Sequence, residues 1–71
     1  KPYNIIAGAF SSEQNAIKLV EKLKSLGYPA TFKKKNGMYM VSAKSFSNKA
    51  DARNGLKDLK TDVPSGWVSK W

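Results

Sequence analysis

The side chains that most often do chemistry are absent from this chain of 71 residues, or scattered along it. It has no histidine and no cysteine, so Ser11 and Ser47 lack the usual base that would turn a hydroxyl into a nucleophile. A thiolate metal site, a disulfide and a thiol nucleophile are excluded by composition. Glu13, Glu21, Asp51 and Asp58 fall in segments with helical spacing, and Asp62 falls in a turn. A glycosidase needs two carboxylates across a cleft, roughly 5 to 9.5 Å apart, and a hard-cation site needs several oxygens converging. Neither arrangement is written here. The expectation is a non-catalytic protein with no cofactor and no metal.

Charge is more informative. Thirteen Lys and Arg against five Asp and Glu leave a net charge of +8. That balance favours an anionic partner: nucleic acid, acidic lipid or acidic polysaccharide. The bland alternative is a lysine-rich surface that keeps a small domain soluble. No apolar run approaches a membrane span and no signal peptide is visible. The chain opens on Lys1 without an initiator methionine, as a piece of a longer exported or membrane-anchored protein would.

The elements that must position these charges come in two copies. Shifting the sequence by 36 residues pairs Tyr3 with Tyr39, Ala7 with Ala43, Phe10 with Phe46, Ser11 with Ser47, Ala16 with Ala52 and Leu23 with Leu59. A sustained offset marks an internal repeat. The pseudo-repeats run from about residue 3 to 35 and from 38 to 71, within a single domain over residues 1–71. In the first, Tyr3 to Ala9 has no helix signal and is expected to be a strand. Ser11 with Gln14 resembles a capping box. Ala16, Leu19, Val20, Leu23 and Leu26 form one apolar helical stripe, and Gly27 is placed to end that helix. Residues 30 to 35 form a second strand, and Asn36-Gly37 is a strong hairpin signal. The second copy begins with a strand from Met38 to Ser45. Its helix starts at Ser47 or Asn48 and carries Ala52, Leu56 and Leu59. The mid-helix Gly55 implies close packing against a sheet. Pro64-Ser65-Gly66 turns the chain into a last strand from Trp67 to Trp71.

Two β-α-β units in the order βαββαβ predict an α+β, ferredoxin-like (RNP-like) sandwich: a four-stranded antiparallel sheet with two helices on one face. The other sheet face is left bare. Alternation along each strand assigns Tyr3, Ile5, Ala7, Tyr39, Val41, Ala43, Phe32 and Val68 to the core side. Asn4, Ile6, Gly8, Thr31, Lys33, Lys35, Met38, Met40, Ser42, Trp67 and Ser69 are expected to face outward. The outward patch is apolar (Ile6, Met38, Met40, Trp67) with a lysine rim, the kind of surface that binds something. A one-residue slip at a bulge would instead turn these residues inward.

At this point the residues carry a family likeness. Ala7-Gly8-Ala9-Phe10, the following serine, an alanine-led helix, the segment Leu23 to Ala30 and the second Phe at Phe46 together resemble the SPOR domain, over about residues 3 to 69. The resemblance implies a bacterial cell-envelope or periplasmic module that binds peptidoglycan, preferring strands stripped of stem peptides as at the division septum. It also implies that the ligand lies on the bare face. Family members often carry glutamine and arginine at the positions of Ile6 and Met40, so this chain departs from the usual polar contacts. Trp67 matches the family's aromatic or aliphatic position in the last strand. The expected glycan contacts are Ile6, Met38, Met40 and Trp67 against pyranose C–H faces, Lys33 and Lys35 against lactyl carboxylates, and Asn4, Thr31 and Ser42 against hydroxyls. The domain is expected to act as a monomer, without inserting into a membrane.

Single-stranded RNA is the rival ligand, because an RNA recognition motif has the same element order and uses the same face. Its stacking positions would fall on Ile6, Met38 and Met40, where aromatic residues are missing, so nucleic acid is disfavoured. Protein binding through the same apolar face stays open.

Overall fold

The computed structural model describes residues 1–71. The elements follow the order β1 (Tyr3–Phe10), α1 (Glu13–Ser25), β2 (Thr31–Lys35), β3 (Met38–Phe46), α2 (Lys49–Asp58) and β4 (Trp67–Lys70). The strands form one antiparallel sheet in the order β2-β3-β1-β4. The expected α+β, ferredoxin-like sandwich is the fold of the molecule.

Local signals account for most of the boundaries. Asn36 (φ 52°) and Gly37 (φ 79°) turn the β2–β3 hairpin, the left-handed pair that matches strand twist. α1 ends in a Schellman motif: Gly27 has φ 96°, its N–H donates to the Lys24 carbonyl, and the Tyr28 N–H donates to Leu23. Asn48 caps α2 by accepting from the Asp51 N–H at 2.8 Å. The capping box at the first helix does not form. Its N-cap is Ser12, one residue later than Ser11, and no side-chain bond closes it. Two consecutive serines precede the helix, and either could cap it, so the choice of start is left to packing.

The core lies between the sheet and both helices. Ile5, Ala16, Val20, Leu23, Ala30, Val41, Ala43, Leu59 and Val63 form one buried cluster, with Phe10, Leu19, Phe32, Tyr39, Phe46 and Leu56 packed around it. Leu26, expected in the apolar stripe, is 49% exposed, because it is the C-cap residue where the chain turns away from the sheet.

β1 and β3 pair through two compensating irregularities. Ile5 opposes Lys44, Ile6 opposes Ser42, and Gly8 opposes Val41. Ala43 is thus the extra residue on β3 and Ala7 the extra residue on β1. These are the same position of the repeat. Each bulge reverses the inward parity of its strand, so Tyr3 and Phe10, an odd number of residues apart, both face the helices, as do Tyr39 and Phe46. The outward assignment of Gly8 is corrected by the same feature. A Cβ at Gly8 would stand 3.2 Å from the Phe10 ring and 3.3 Å from Leu19, on the helix side.

Gly55 permits the closest approach of helix to sheet. A Cβ there would overlap the Phe46 ring, with Cε2 at 2.9 Å and the Ile5 Cδ1 at 3.2 Å. Alanine in a helix interior ordinarily gains about 1 kcal/mol over glycine, whereas overpacking costs about 1–3 kcal/mol. The second effect wins, since Ile5 is fully buried and cannot yield. Gly55→Ala is therefore predicted to lower stability in urea denaturation; a gain would show that Phe46 swings clear at no cost.

The two halves are also tied at the surface. The Tyr28 hydroxyl, just after α1, donates to the Asp62 carboxylate at 2.6 Å, after α2. That bond to Asp62, then desolvation and the neighbouring charge, raise the Tyr28 pKa above its usual 10.0. A raised folded-state pKa gives stability that is present below the unfolded value and lost as pH rises through the folded one. The stability difference between wild type and Tyr28→Phe is predicted to hold below pH 10 and to shrink above it. A gap that is constant through pH 11 in parallel thermal melts would exclude the bond.

Candidate functional site

Strand pairing places the outward residues side by side on the face opposite the helices. Thr31 pairs with Ser42, Lys33 with Met40 and Lys35 with Met38. Ser42 pairs with Ile6, Ile6 with Trp67, and Asn4 with Ser69. Directly opposed residues in a sheet share a face, so all nine expected contact residues (Asn4, Ile6, Thr31, Lys33, Lys35, Met38, Met40, Ser42 and Trp67) lie on one surface.

They are not equally accessible. Met38 and Trp67 are exposed, at 37% and 41%, as are Thr31, Lys33 and Lys35, and Met40 is half-buried. Ile6, Asn4 and Ser42 are buried, at 0%, 3% and 2%. Ile6 is not a member of the helix-side core cluster. Something on the outer face covers these three.

The cover is Trp71. Its N–H donates to the Pro2 carbonyl at 2.9 Å, which continues the β1–β4 ladder past Lys70 and points the indole to the same face as Trp67 and Ser69. The Lys33 ammonium lies 5.9 Å from the Trp71 ring centroid. Lys33 is on edge strand β2 and Trp71 extends the opposite edge, β4. Three strand spacings separate those edges, roughly 14 Å, so the two side chains reach toward each other across β3 and β1 on the outer face. The strands beneath carry the buried residues.

Asn4 and Ser42 are already bonded to each other in this buried position. The Ser42 hydroxyl donates to the Asn4 side-chain oxygen at 2.8 Å, the Asn4 amide donates to the Pro2 carbonyl at 3.2 Å, and no buried polar side-chain atom lacks a partner. Sequence reasoning therefore placed Asn4, Ile6 and Ser42 on the correct face but missed their cover. The missed residue, Trp71, was visible as the third term of the alternation Trp67, Ser69, Trp71.

The electrostatics are one-sided. Lys33 and Lys35 project from the outer face of β2, while Lys34 turns to the helix side over Tyr39, 5.6 Å from its centroid. Lysines on an edge strand also discourage strand addition by another chain. Glu13, Glu21, Asp51 and Asp58 sit on the helices behind the sheet, and Asp62 is held by Tyr28. The outer face keeps its positive field. It is open, with no enclosed pocket, which suits an extended ligand lying across strands. No helix is long and apolar enough to cross a membrane.

The family model for the SPOR domain matches residues 1–70. No curated protein and no solved structure gave a match. With the match spanning nearly all of the chain and the βαββαβ sandwich beneath it, this protein belongs to the SPOR domain family, the peptidoglycan-binding modules of bacterial cell-envelope proteins.

Proposed function

We propose that this domain is a non-catalytic module that binds glycan strands of peptidoglycan across its open sheet face, preferring strands stripped of stem peptides. The observation that carries this reading is the pairing of exposed apolar side chains with cations on that one face. Trp67, Met38 and Met40 offer flat or flexible apolar surface to the C–H faces of pyranose rings. Lys33 and Lys35 stand beside them, where the carboxylates of lactyl groups freed of peptide would sit. Removal of stem peptides from muramic acid creates those carboxylates, so a cationic face gains more from a stripped strand than from an intact one.

The contacts lie on an open face, and affinity per site is expected to be weak. A polymer presenting many equivalent sites compensates by avidity. Such strands accumulate where wall is remodelled during division, so the septum is the proposed place of action and the periplasmic side of the envelope the proposed location. The domain acts as a monomer in this scheme, with its whole sheet face free for ligand.

Co-sedimentation with purified sacculi tests both parts. Amidase-treated sacculi are predicted to retain more domain than untreated ones, with the excess fading as salt rises and screens the lysines. Trp67→Ala and Met40→Ala are predicted to reduce retention several-fold, in the range of a contact residue worth about 1 kcal/mol or more, without changing the circular dichroism spectrum. Equal retention of both sacculus preparations would remove the preference. Wild-type retention by both variants would remove the face.

A further inference from the structure

We infer that Trp71 is the central contact residue of the ligand face, a fixed indole platform on which one sugar ring of the glycan packs. The Asn4–Ser42–Ile6 group beneath it serves as its seat. This inference rests on the glycan-binding reading above and adds to it a residue and a division of roles. The polar residues expected to touch ligand support the aromatic that does.

Three observations converge on it. The backbone of Trp71 is bonded into the sheet through Pro2, so the ring is carried by the β-ladder. The ring lies on the outer face with its centroid 5.9 Å from the Lys33 ammonium, and Lys33 is exposed on that face. An aromatic face next to a cation matches a sugar ring that bears a carboxylate. Third, the polar groups under the ring are already bonded to one another and to Pro2. Swinging the indole away would offer an incoming hydroxyl little, since the Ser42 proton is committed to Asn4. A ring that merely blocked the site would hide groups with bonds to give. This one hides groups whose bonds are made.

Trp71 and Trp67 stand four residues apart on the same side of one strand, which places their Cα atoms about 13 Å apart. The two indoles would thus touch separate rings of one strand, so binding should favour glycans longer than a disaccharide.

The test separates a platform from a plug. Trp71→Leu keeps apolar cover over Ile6, Asn4 and Ser42 but removes the flat face, and Trp71→Tyr keeps a flat face. Soluble glycan strands released by amidase from sacculi are the probe. Trp71→Leu is expected to bind about tenfold more weakly, the size of a hot-spot truncation, while Trp71→Tyr retains most of the affinity. Equal or tighter binding by Trp71→Leu would overturn the inference. Should the leucine variant fail to fold, Trp67→Phe leaves Trp71 as the sole tryptophan. Its emission is expected to shift on saturation with glycan, and unchanged emission alongside demonstrated binding would overturn the inference equally. Failure of the wild type itself to bind glycan would bring down the functional reading, and this inference with it. Wild-type binding with an indifferent Trp71→Leu would bring down this inference alone.

Discussion

The structure depends on how β1 and β3 are stitched together at the centre of the sheet. Pairing runs in one register from Tyr3–Phe46 to Ile5–Lys44 and resumes in that register from Gly8–Val41 to Phe10–Tyr39. Between them, Ala43 and then Ala7 are left over, and the displaced pair Ile6–Ser42 stands alone. Those two residues are equivalents of each other in the repeat, so the local two-fold of the duplicated unit passes between them. A bulge leaves one residue unpaired and re-aims the strand. Here it is the device that lets an aromatic residue at each end of each long strand reach the helix layer. Alanine at both bulges adds little bulk where the chain crowds against the core.

The same repeat operation shows where the halves diverge. Phe32 with Tyr39 on one side answers Val68 and Tyr3 on the other, and Lys34 over Tyr39 answers Lys70 over Tyr3, at 5.6 and 5.7 Å. The helix side is therefore duplicated in detail. Where copy one packs Leu19 of α1 over Gly8, copy two reverses the sizes, and Phe46 fills the space that Gly55 leaves in α2. On the open face the duplication breaks down. β2 supplies Thr31, Lys33 and Lys35 where β4 and its extension supply Trp67, Ser69 and Trp71. One edge of the sheet is cationic and the other aromatic. Selection for folding constrains the helix side in both copies alike, whereas the open face is free to differ.

Much of this was legible in the sequence, and the exceptions share a cause. The Asn36-Gly37 hairpin, the Gly27 helix end and the close approach at Gly55 are each dictated by a residue with an unusual backbone or no side chain, and such signals survive any tertiary context. Face assignment rests on strict alternation, and alternation fails silently at a bulge, which is why Gly8 was assigned to the wrong side. The clue was available: Tyr3 and Phe10 could not both be core residues of a regular strand. The first helix start was misplaced by one residue because Ser11 and Ser12 have equal local merit. Burial of Asn4, Ile6 and Ser42 could not be read from alternation, which assigns a side chain to a face and does not say what lies over it.

That last contact changes what the sheet is. A sandwich of this kind normally buries one face and leaves the other wet, and its outer polar residues would then be free for ligand. Here the outer face has a small buried group of its own, Ile6 with the Asn4–Ser42 bond, separate from the helix-side cluster, and Trp71 is the residue inferred above to lie over it. Burying Asn4 and Ser42 is tolerable only because they bond each other, since an unpaired buried polar group costs about 1–3 kcal/mol. Their hydrogen bond is what makes burial on this face tolerable, whatever side chain lies over it. Ile6 stands where the family often carries glutamine, and a buried apolar side chain there suits an aromatic neighbour. On the inference drawn for Trp71, the departure at Ile6 and the presence of Trp71 belong together: aromatic contact on this face would take the place of hydrogen bonding.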